Sequence, residues 1–534
     1  MDNIARQWRY HPYYVEPGED FMNANANAAC PLPFLTSLNT NVDTITRMLG
    51  NSADIQQRSF SVRFGAATIP GSCLSIDGLA ESASVQTVLK SLLYSNDDKM
   101  VSFLPSSEFL PAIREQVLIH HEVIEMSDLE SALSGLLSGD TLLLFDGFAT
   151  ALLVPTKGWS QRAVGEPSTE SVVRGPRDGF TENIRVNTAS VRRRIKHPAF
   201  RLISLEVGVR TNTVVEIGYI EGIVKDGLVD EVVQRIQKIN IDGVLESGYI
   251  EEMINDSPYS PFSTIQNTER PDKVAAALLE GRVAIFVDNT PFVLTAPTYF
   301  WEFLQASDDY YNRFWAGSFY RLVRYIAFII SLVLPSMYVM LLTFHQEMIP
   351  TQLILTIASG REVVPFPVLL EALIMEIAFE LMREAGLRMP KPIGQAVSIV
   401  GSLIIGQAAV QAGLVSPSMV IIVAVTGIAS FVIPNYGASF AIRVLRFPLL
   451  IASGAFGLLG FATVFFMIVI HALSIRSFGE SYFAPMTPFK AMDQKDVIFR
   501  LPWWSLKHRP EMAQDSRREG NGYPHPPRKG QGDE

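Results

Sequence analysis

The chain has few of the residues on which enzyme and metal-binding motifs depend. Its 534 residues include two cysteines, Cys30 and Cys73, which form neither a zinc pattern nor a disulfide framework. A P-loop lysine motif, a GxSxG elbow and an HExxH motif are all absent from the sequence. We therefore expect a protein that is not an enzyme and that uses no cofactor or metal. The net charge of −10 also argues against nucleic acid as a partner.

Charged residues are missing from three long stretches of the C-terminal half. Asp, Glu, Lys and Arg are absent from residues 325–344, 393–442 and 447–475, whereas the first 320 residues carry charges throughout. Each stretch reaches the roughly 20 residues that a helix needs to cross the hydrocarbon core of a bilayer. The sequence therefore predicts a soluble N-terminal module followed by an all-α polytopic membrane domain at 306–480.

The side on which each end of the membrane domain lies is harder to predict. The N-terminal segment has no apolar core and no small-residue cleavage site, so we expect the module to be cytoplasmic. With four spans the tail returns to the cytoplasm, but Arg443 and Arg446 then lie on the outer side of the membrane. If 366–387 is counted as a fifth span, the tail lies outside and the two arginines lie on the cytoplasmic side. We expect a cytoplasmic tail. The predicted spans are 325–344, 393–413, 416–434 and 449–473, with a partial segment at 348–360.

An internal repeat organises the N-terminal module. The stretch from Gly139 through Asp146-Gly147 matches the stretch from Gly281 through Asp288-Asn289 at a constant offset of 142. Such self-similarity predicts duplicated structural units, here two tandem α/β subdomains at 56–165 and 206–305. Asp-Gly and Asp-Asn pairs suit tight hairpin turns, which we prefer to the alternative of a ligand site.

A basic helical connector, residues 166–205, separates the two copies. It is either a strut whose arginines pair with acids of the flanking subdomains or a surface for lipid, ligand or oligomer contact, and we favour a strut or an oligomer contact. The first 55 residues, and the last 24 residues of a polar tail at 481–534, are predicted to be disordered. The candidate assembly residues are Arg174, Arg177, Arg192, Arg193 and Arg194.

Several motifs in order give the chain a specific resemblance. GPRDGFTEN at 175–183 is followed by RRRIKHP at 192–198 in the connector. In the membrane half come HQEMIPT at 345–351, ELMREAG at 380–386 and SFVIP at 430–434. Over roughly residues 56–510 the sequence resembles the A-subunit family of GerA-type spore germinant receptors.

The resemblance implies a partner set, a location and a role. It implies a receptor built with B and C subunits in the inner membrane of a bacterial spore, in which the A subunits self-associate into a ring-like oligomer that forms a nutrient-gated ion channel. Two alternatives stay open: a non-conducting scaffold for the ligand-binding subunit, and a secondary transporter. A transporter predicts inverted repeats, and none is visible within 322–475.

Two sets of candidate functional residues follow from helical periodicity. Glu376, Glu380 and Glu384 share one side of the helix 366–387, which either lines a water-filled vestibule or lies at the membrane interface. Glu371 falls outside this stripe, so we expect it to have a separate partner. The second set is a stripe of polar and small residues that either lines a pore or packs closely against another helix. Its members are Gln395, Ser398, Ser402 and Gly406.

Overall fold

The computed structural model describes residues 32–64, 67–93, 109–120, 122–158, 167, 170, 172–388, 406–490 and 493–518. The chain divides into two compact units at residue 160. The first unit contains the first predicted subdomain. The second unit contains the connector, the second subdomain, the helical domain and the tail.

The first unit is an antiparallel five-stranded sheet with helices packed on it. Its strands lie in the order β1-β2-β4-β5-β3. An apolar core that includes Leu143, Phe145 and Leu152 fills the space between the sheet and its helices. The elements are α1 Leu38–Met48, β1 Ile55–Phe64, β2 Ala67–Ile76, α2 Ser82–Leu93, α3 Phe109–Ala112, β3 Ile124–Met126, α4 Leu129–Leu137, β4 Thr141–Phe145 and β5 Ala151–Val154.

The second sheet has the same topology as the first. Its strand order is β6-β7-β9-β10-β8, which is the order of the first sheet shifted by five strands. The duplication read from the sequence is thereby confirmed at the level of topology. The elements are α5 Ile184–Arg192, β6 Phe200–Val207, β7 Thr213–Ile220, α6 Leu228–Gln237, α7 Ser247–Ile254, β8 Gln266–Thr268, α8 Pro271–Leu279, β9 Val283–Val287 and β10 Val293–Ala296.

The acidic hairpin turns hold the first helix of each copy. The Asp146 carboxylate accepts a hydrogen bond from the backbone amide of Leu38 at 3.0 Å. The Asp288 carboxylate accepts one from the backbone amide of Ile184 at 3.2 Å. A carboxylate at a helix N-terminus satisfies an otherwise unpaired N–H and favours the helix dipole. Asn289 adopts φ +68°, as a tight turn of this kind requires. The preference for hairpin turns over a ligand site agrees with this geometry.

The repeat is longer than the sequence indicates. In α1, Asn41 exchanges two hydrogen bonds with the backbone of Leu35, and in α5, Asn187 does the same with Thr181. Each copy therefore starts with its own helix. The prediction of disorder up to residue 55 is wrong for α1, which buries apolar residues, and the connector helix belongs to the second copy.

A helical bundle follows the second sheet. Two of its described helices, α10 and α15, are long and apolar enough to cross a membrane by length and composition. The predicted spans 325–344 and 449–473 lie inside these two, and the span 416–434 corresponds to a shorter apolar helix, α14. The elements are α9 Asp308–Tyr311, α10 Phe314–Phe344, α11 Thr351–Arg361, α12 Val368–Arg388, α13 Gly406–Gln411, α14 Pro417–Phe431 and α15 Tyr436–Ser474.

The long helix α15 reverses direction in its middle. Gly457 has φ +60° and ψ −138°, which is not helical. A Cβ on Gly460 would collide with the carbonyl oxygen of Ala452, although eight residues of straight helix span about 12 Å. α15 is therefore a hairpin of two arms, 436–456 and 458–474. The expectation of a single span at 449–473 is wrong, because this stretch contains the turn.

The bundle has an end beside the second sheet, here called the proximal end, and an opposite, distal end. α10 leaves the proximal end, and its last residue, Phe344, lies against Gly457 at the distal end. Ala472, near the end of the second arm of α15, returns to the core that contains Phe262 and Phe300. The two arms of α15 therefore run outward and back.

Helices α12 and α14 both run from the distal to the proximal end. Near the start of α12, Leu369 contacts Gly454, close to the distal turn. The carboxylate of Glu371 accepts hydrogen bonds from Ser416, which caps α14. Further along, Arg383 of α12 donates to Ser430 of α14. Both helices are therefore antiparallel to α10.

The tail returns to the second sheet and packs on it. Ser477 donates to the carbonyl oxygen of Thr264 at 2.7 Å, and the amide of Gln514 donates to the carbonyl oxygen of Ile223 at 2.9 Å. Met512 is buried. The prediction of disorder from residue 511 is wrong for 511–518, because this polar segment pairs with exposed backbone groups of the sheet domain. Residues 519–534 lie outside the described part.

Candidate functional site

Helix α12 places its acids inside the bundle and its aliphatic residues outside. Glu371 and Glu376 are fully buried, whereas Ile377 and Leu381 are 50% and 67% exposed. A surface helix of a water-soluble protein shows the opposite arrangement, with its apolar side buried and its charged side exposed. The amphipathic period was readable from the sequence, but the direction in which each face points was not.

Glu371 has a separate partner, as expected from its position off the acidic stripe. Its carboxylate accepts from Arg361 of α11 at 2.7 Å, and from both the amide and the hydroxyl of Ser416 at 2.6 Å. Ser416 is the N-cap of α14. One buried carboxylate thus joins α11, α12 and α14 at the distal end.

Glu376 forms a fully buried ion pair in the described bundle. It lies 2.5 Å from Arg446 of α15, and both side chains are at most 1% exposed. Arg446 also donates to the carbonyl oxygen of Ser331 at 2.9 Å and to its hydroxyl at 3.1 Å. These bonds link α10, α12 and α15 at mid-depth. A buried pair of this kind holds only while both partners are present.

Glu380 is shared by two arginines nearer the proximal end. Arg443 donates to it at 3.1 Å, and Arg383 lies 3.7 Å away. The Arg383 guanidinium also stands over the Phe431 ring, 4.6 Å from its centroid, and Arg443 lies 5.4 Å from the Tyr436 ring centroid. One carboxylate cannot neutralise two guanidinium groups, and the faces of the aromatic rings supply additional stabilisation to both cations.

Glu384, the last candidate vestibule residue, lies at the surface. It pairs with Arg388 at 2.6 Å, with the two side chains 55% and 80% exposed. The three candidates therefore differ in setting: Glu376 and Glu380 belong to ion pairs inside the chain, and Glu384 alone is open. The vestibule role of the set stays a prediction.

The candidate assembly arginines divide into inward and outward side chains. Arg192 is buried, donates to the carbonyl oxygen of Phe200 and stacks 4.8 Å from that ring. Arg194 forms two hydrogen bonds with Asp178, at 2.6 and 2.7 Å, and Arg193 donates to Ser190. Asp178, the acid paired with Arg194, belongs to the connector itself, and the strut role stays a prediction. The side chains of Arg174 and Arg177 are exposed, so the assembly role stays a prediction for them.

Most of the candidate pore-lining residues cannot be placed. Gln395, Ser398 and Ser402 lie outside the described residues. Gly406 is described; it begins α13 and faces Val420 of α14. The pore-lining role therefore stays a prediction.

A second charged cluster, which the sequence did not reveal, fixes the start of α10. Arg321 lies 3.4 Å from Asp309 and 2.9 Å from Asp496 of the tail, and Arg324 lies 2.7 Å from Asp309. Tyr310 donates to Asp496 at 2.7 Å, and burial, together with the Asp496 charge, raises the pKa of its hydroxyl. The sequence could not link Arg321 to Asp496, because the two residues lie 175 positions apart.

The described residues include a buried free thiol, that of Cys73. Burial raises the pKa of the Cys73 thiol to about 12, so it stays protonated and a poor nucleophile. Within the described ranges, no group of three or more His, Cys, Asp or Glu side chains is arranged to hold a metal ion. The charges of the bundle are arranged for structure and coupling between helices.

Comparison with known proteins identifies the family. Residues 43–512 match the family model of the Bacillus/Clostridium GerA spore germination protein. The chain is 44% identical to the uncharacterised membrane protein YfkQ of Bacillus subtilis over 90% of this chain and 91% of that protein. It is 43% identical to spore germination protein KA of Bacillus subtilis, over 92% and 89% of the two chains.

A solved structure is also similar. The N-terminal domain of the A subunit of the Bacillus megaterium spore germinant receptor GerK3 is 37% identical, with a TM-score of 0.41, over 51% of this chain and 99% of that one. The family model and the relatives that match along nine-tenths of the sequence agree with the motifs. The chain therefore belongs to the GerA family of spore germination proteins, the family of the germinant receptor A subunits.

Proposed function

We propose that this chain is the A subunit of a spore germinant receptor, a multi-pass protein of the spore inner membrane that catalyses no reaction. The observation that carries the membrane assignment is the orientation of α12. Its carboxylates are buried against arginines while Ile377 and Leu381 face outward. In a lipid bilayer this arrangement shields the charges from the hydrocarbon and places aliphatic side chains against lipid. In water the same arrangement would expose the aliphatic side chains to the solvent.

The packing supports an even number of crossings. The described outward passes are α10 and the first arm of α15. The return passes are α12, α14 and the second arm of α15. An even number is required because the start of α10 and the tail are joined to each other through Arg321 and Asp496 at the proximal end.

Charge asymmetry supports a cytoplasmic proximal end. The segments at the distal end, 345–367, 412–416 and 454–460, contain one residue of the Lys or Arg type, Arg361, and two acids. Arg443 lies in the proximal half and Arg446 at mid-depth, and neither conflicts with a cytoplasmic tail any longer, because the turn at Gly457 adds a crossing. Cytoplasmic segments of membrane proteins are enriched in Lys and Arg.

We further propose that the chain works with B and C subunits and self-associates into a ring-like, nutrient-gated ion channel in contact with membrane lipid. Family membership supports the receptor role. The bundle does not favour the transporter alternative, since α10, α12 and α14 run through without a break at mid-depth. A non-conducting scaffold remains the second outcome of the experiment below.

Topology is tested by labelling single cysteines. In a chain with Cys30→Ser and Cys73→Ala, Glu362→Cys tests the distal end and Glu511→Cys tests the tail. A membrane-impermeant maleimide added to sealed vesicles should label only one of the two, and a permeant maleimide should label both. Labelling of both positions by the impermeant reagent, in vesicles shown to be sealed, would contradict an even number of crossings.

Conduction is tested separately, on the purified oligomer in planar bilayers with and without the B and C subunits. The channel proposal predicts single-channel steps that depend on nutrient when all three subunits are present. Intact complexes that stay electrically silent would assign the chain to the scaffold role. This result would leave the topology unaffected, so the two proposals fail independently.

A further inference from the structure

A cavity of about 320 Å³ lies at the proximal end of the bundle. Its walls come from α10, both arms of α15, the turn after the second sheet and the start of the tail. They are entirely apolar. The residues that matter most for the argument are Phe300, Trp301, Tyr325, Ile329, Leu332 and Ala472.

The polar atoms of the two amphipathic wall residues point away from the cavity. The indole N–H of Trp301 donates to the carbonyl oxygen of Phe483 at 3.3 Å, and the Tyr325 hydroxyl donates to the carbonyl oxygen of Val497 at 2.7 Å. The lining therefore offers no donor or acceptor. Any occupant must be hydrocarbon, which excludes amino acids and sugars as well as ordered water, since water needs polar partners.

A void of this size is unlike the interior of a folded protein, where gaps larger than a water molecule are few. Its mouth lies on the lipid-facing side, because the lining residue Ile329 is 59% exposed. Trp and Tyr beside the opening are typical of the boundary between hydrocarbon and headgroups. The cavity is therefore continuous with the surface that a membrane would cover.

We propose that this cavity is a binding site for one acyl chain of a membrane phospholipid. The headgroup stays outside at the interface, which suits a lining with no charged group. A phospholipid is the favoured source of the acyl chain, because the mouth of the cavity opens on the surface that membrane phospholipids cover. The bound chain joins the second sheet domain, through Phe262 and Phe300, to α10 and α15. This inference rests on the membrane assignment of the bundle and on no property of a channel.

The experiment is photolabelling of the purified full-length chain in detergent. The probes are phosphatidylglycerol with a diazirine in one acyl chain and, in a parallel arm, diazirine palmitate. The proposal predicts saturable phospholipid adducts on Phe328, Leu332 or Ile468, with competition by unlabelled phospholipid. Ala472→Phe, which fills the cavity, should abolish the saturable component, and Val469→Phe provides a second filling variant in case the first does not fold.

Ile470→Phe is the matched control, since it adds bulk to the same arm on its exposed face and should leave labelling unchanged. Adducts that never saturate, or that survive in both filling variants, would overturn the site. Saturable labelling by palmitate alone would overturn the phospholipid as its occupant.

Discussion

The ion pair between Glu376 and Arg446 is expected to be the most sensitive contact in the bundle. Arg446→Leu leaves the Glu376 carboxylate fully buried without the guanidinium that lies 2.5 Å from it. The substitution also removes the two N–H groups that donate to the carbonyl and hydroxyl oxygens of Ser331. Glu376→Leu leaves the guanidinium in the same position. In either variant a charge loses its neutralising group at a site where both side chains are at most 1% exposed.

The magnitude follows from the burial. Removing one partner of a fully buried pair destabilises a protein by about 3–5 kcal/mol, which lowers the folded-to-unfolded ratio more than about a hundredfold. Replacing both partners with apolar residues is often neutral or stabilising. We therefore expect the double variant Glu376→Leu/Arg446→Leu to recover most of the loss, with a coupling energy above about 2 kcal/mol.

The assay is unfolding of the purified full-length chain in mixed micelles with a rising SDS fraction, read as a double-mutant cycle. Glu384 and Arg388 supply the matched control, because they also form a 2.6 Å pair but are mostly exposed. Leucine at either control position should change stability by less than about 1 kcal/mol.

The reasoning would be refuted by additive effects at Glu376 and Arg446. It would also be refuted if Arg446→Leu cost no more than Arg388→Leu. Either result would mean that solvent or a neighbouring group stabilises the isolated charge, and burial at α12 would not carry the expected cost.

Three further predictions concern the turn, the connector and the pore. Gly457→Ala should reduce the yield of folded protein in size-exclusion chromatography, because φ +60° strains a residue that has a Cβ by about 1 kcal/mol or more. An unchanged yield would argue against the hairpin. Replacing Arg192, Arg193 and Arg194 together with Ala should weaken assembly on blue-native gels, and unchanged mobility and germination would exclude the three arginines from the assembly contact. Ser402→Leu should slow ion release from spores at normal receptor abundance, since a ring of leucines dewets a constriction, whereas normal kinetics would remove this residue from the pore.

The repeated sheet was predictable because turn residues are constrained by backbone geometry. Asp146 and Asp288 keep the same turn and the same helix contact in both copies, so the offset was visible. The correspondence between α1 and α5 was not predicted from the sequence. Their shared feature is a hydrogen-bonded loop that Asn41 closes in one copy and Asn187 in the other, so each copy needs only one asparagine. A single conserved amide in a variable helix carries too little signal to extend a repeat.

The partners of the buried acids could not be read from the sequence. Glu376 and Arg446 are 70 residues apart, and Glu380 and Arg443 are 63 apart, so no local period links them. The turn at Gly457 was hidden for a related reason. Glycine is common within transmembrane helices, and a long uncharged run looks the same whether it crosses once or twice. Only the packing of the two arms distinguishes the cases.

The ion pairs restrict how α12 can move. Its acids are bound to Arg361 of α11 at the distal end and to Arg446 and Arg443 of α15 further along. A small slide or rotation would stretch all three pairs in an environment where a half-broken pair costs several kcal/mol. The helix is therefore held in discrete positions, and intermediate ones are disfavoured. If ions pass beside α12, opening must carry the helix together with its arginines, or exchange Glu380 between Arg443 and Arg383, which already lie on either side of it.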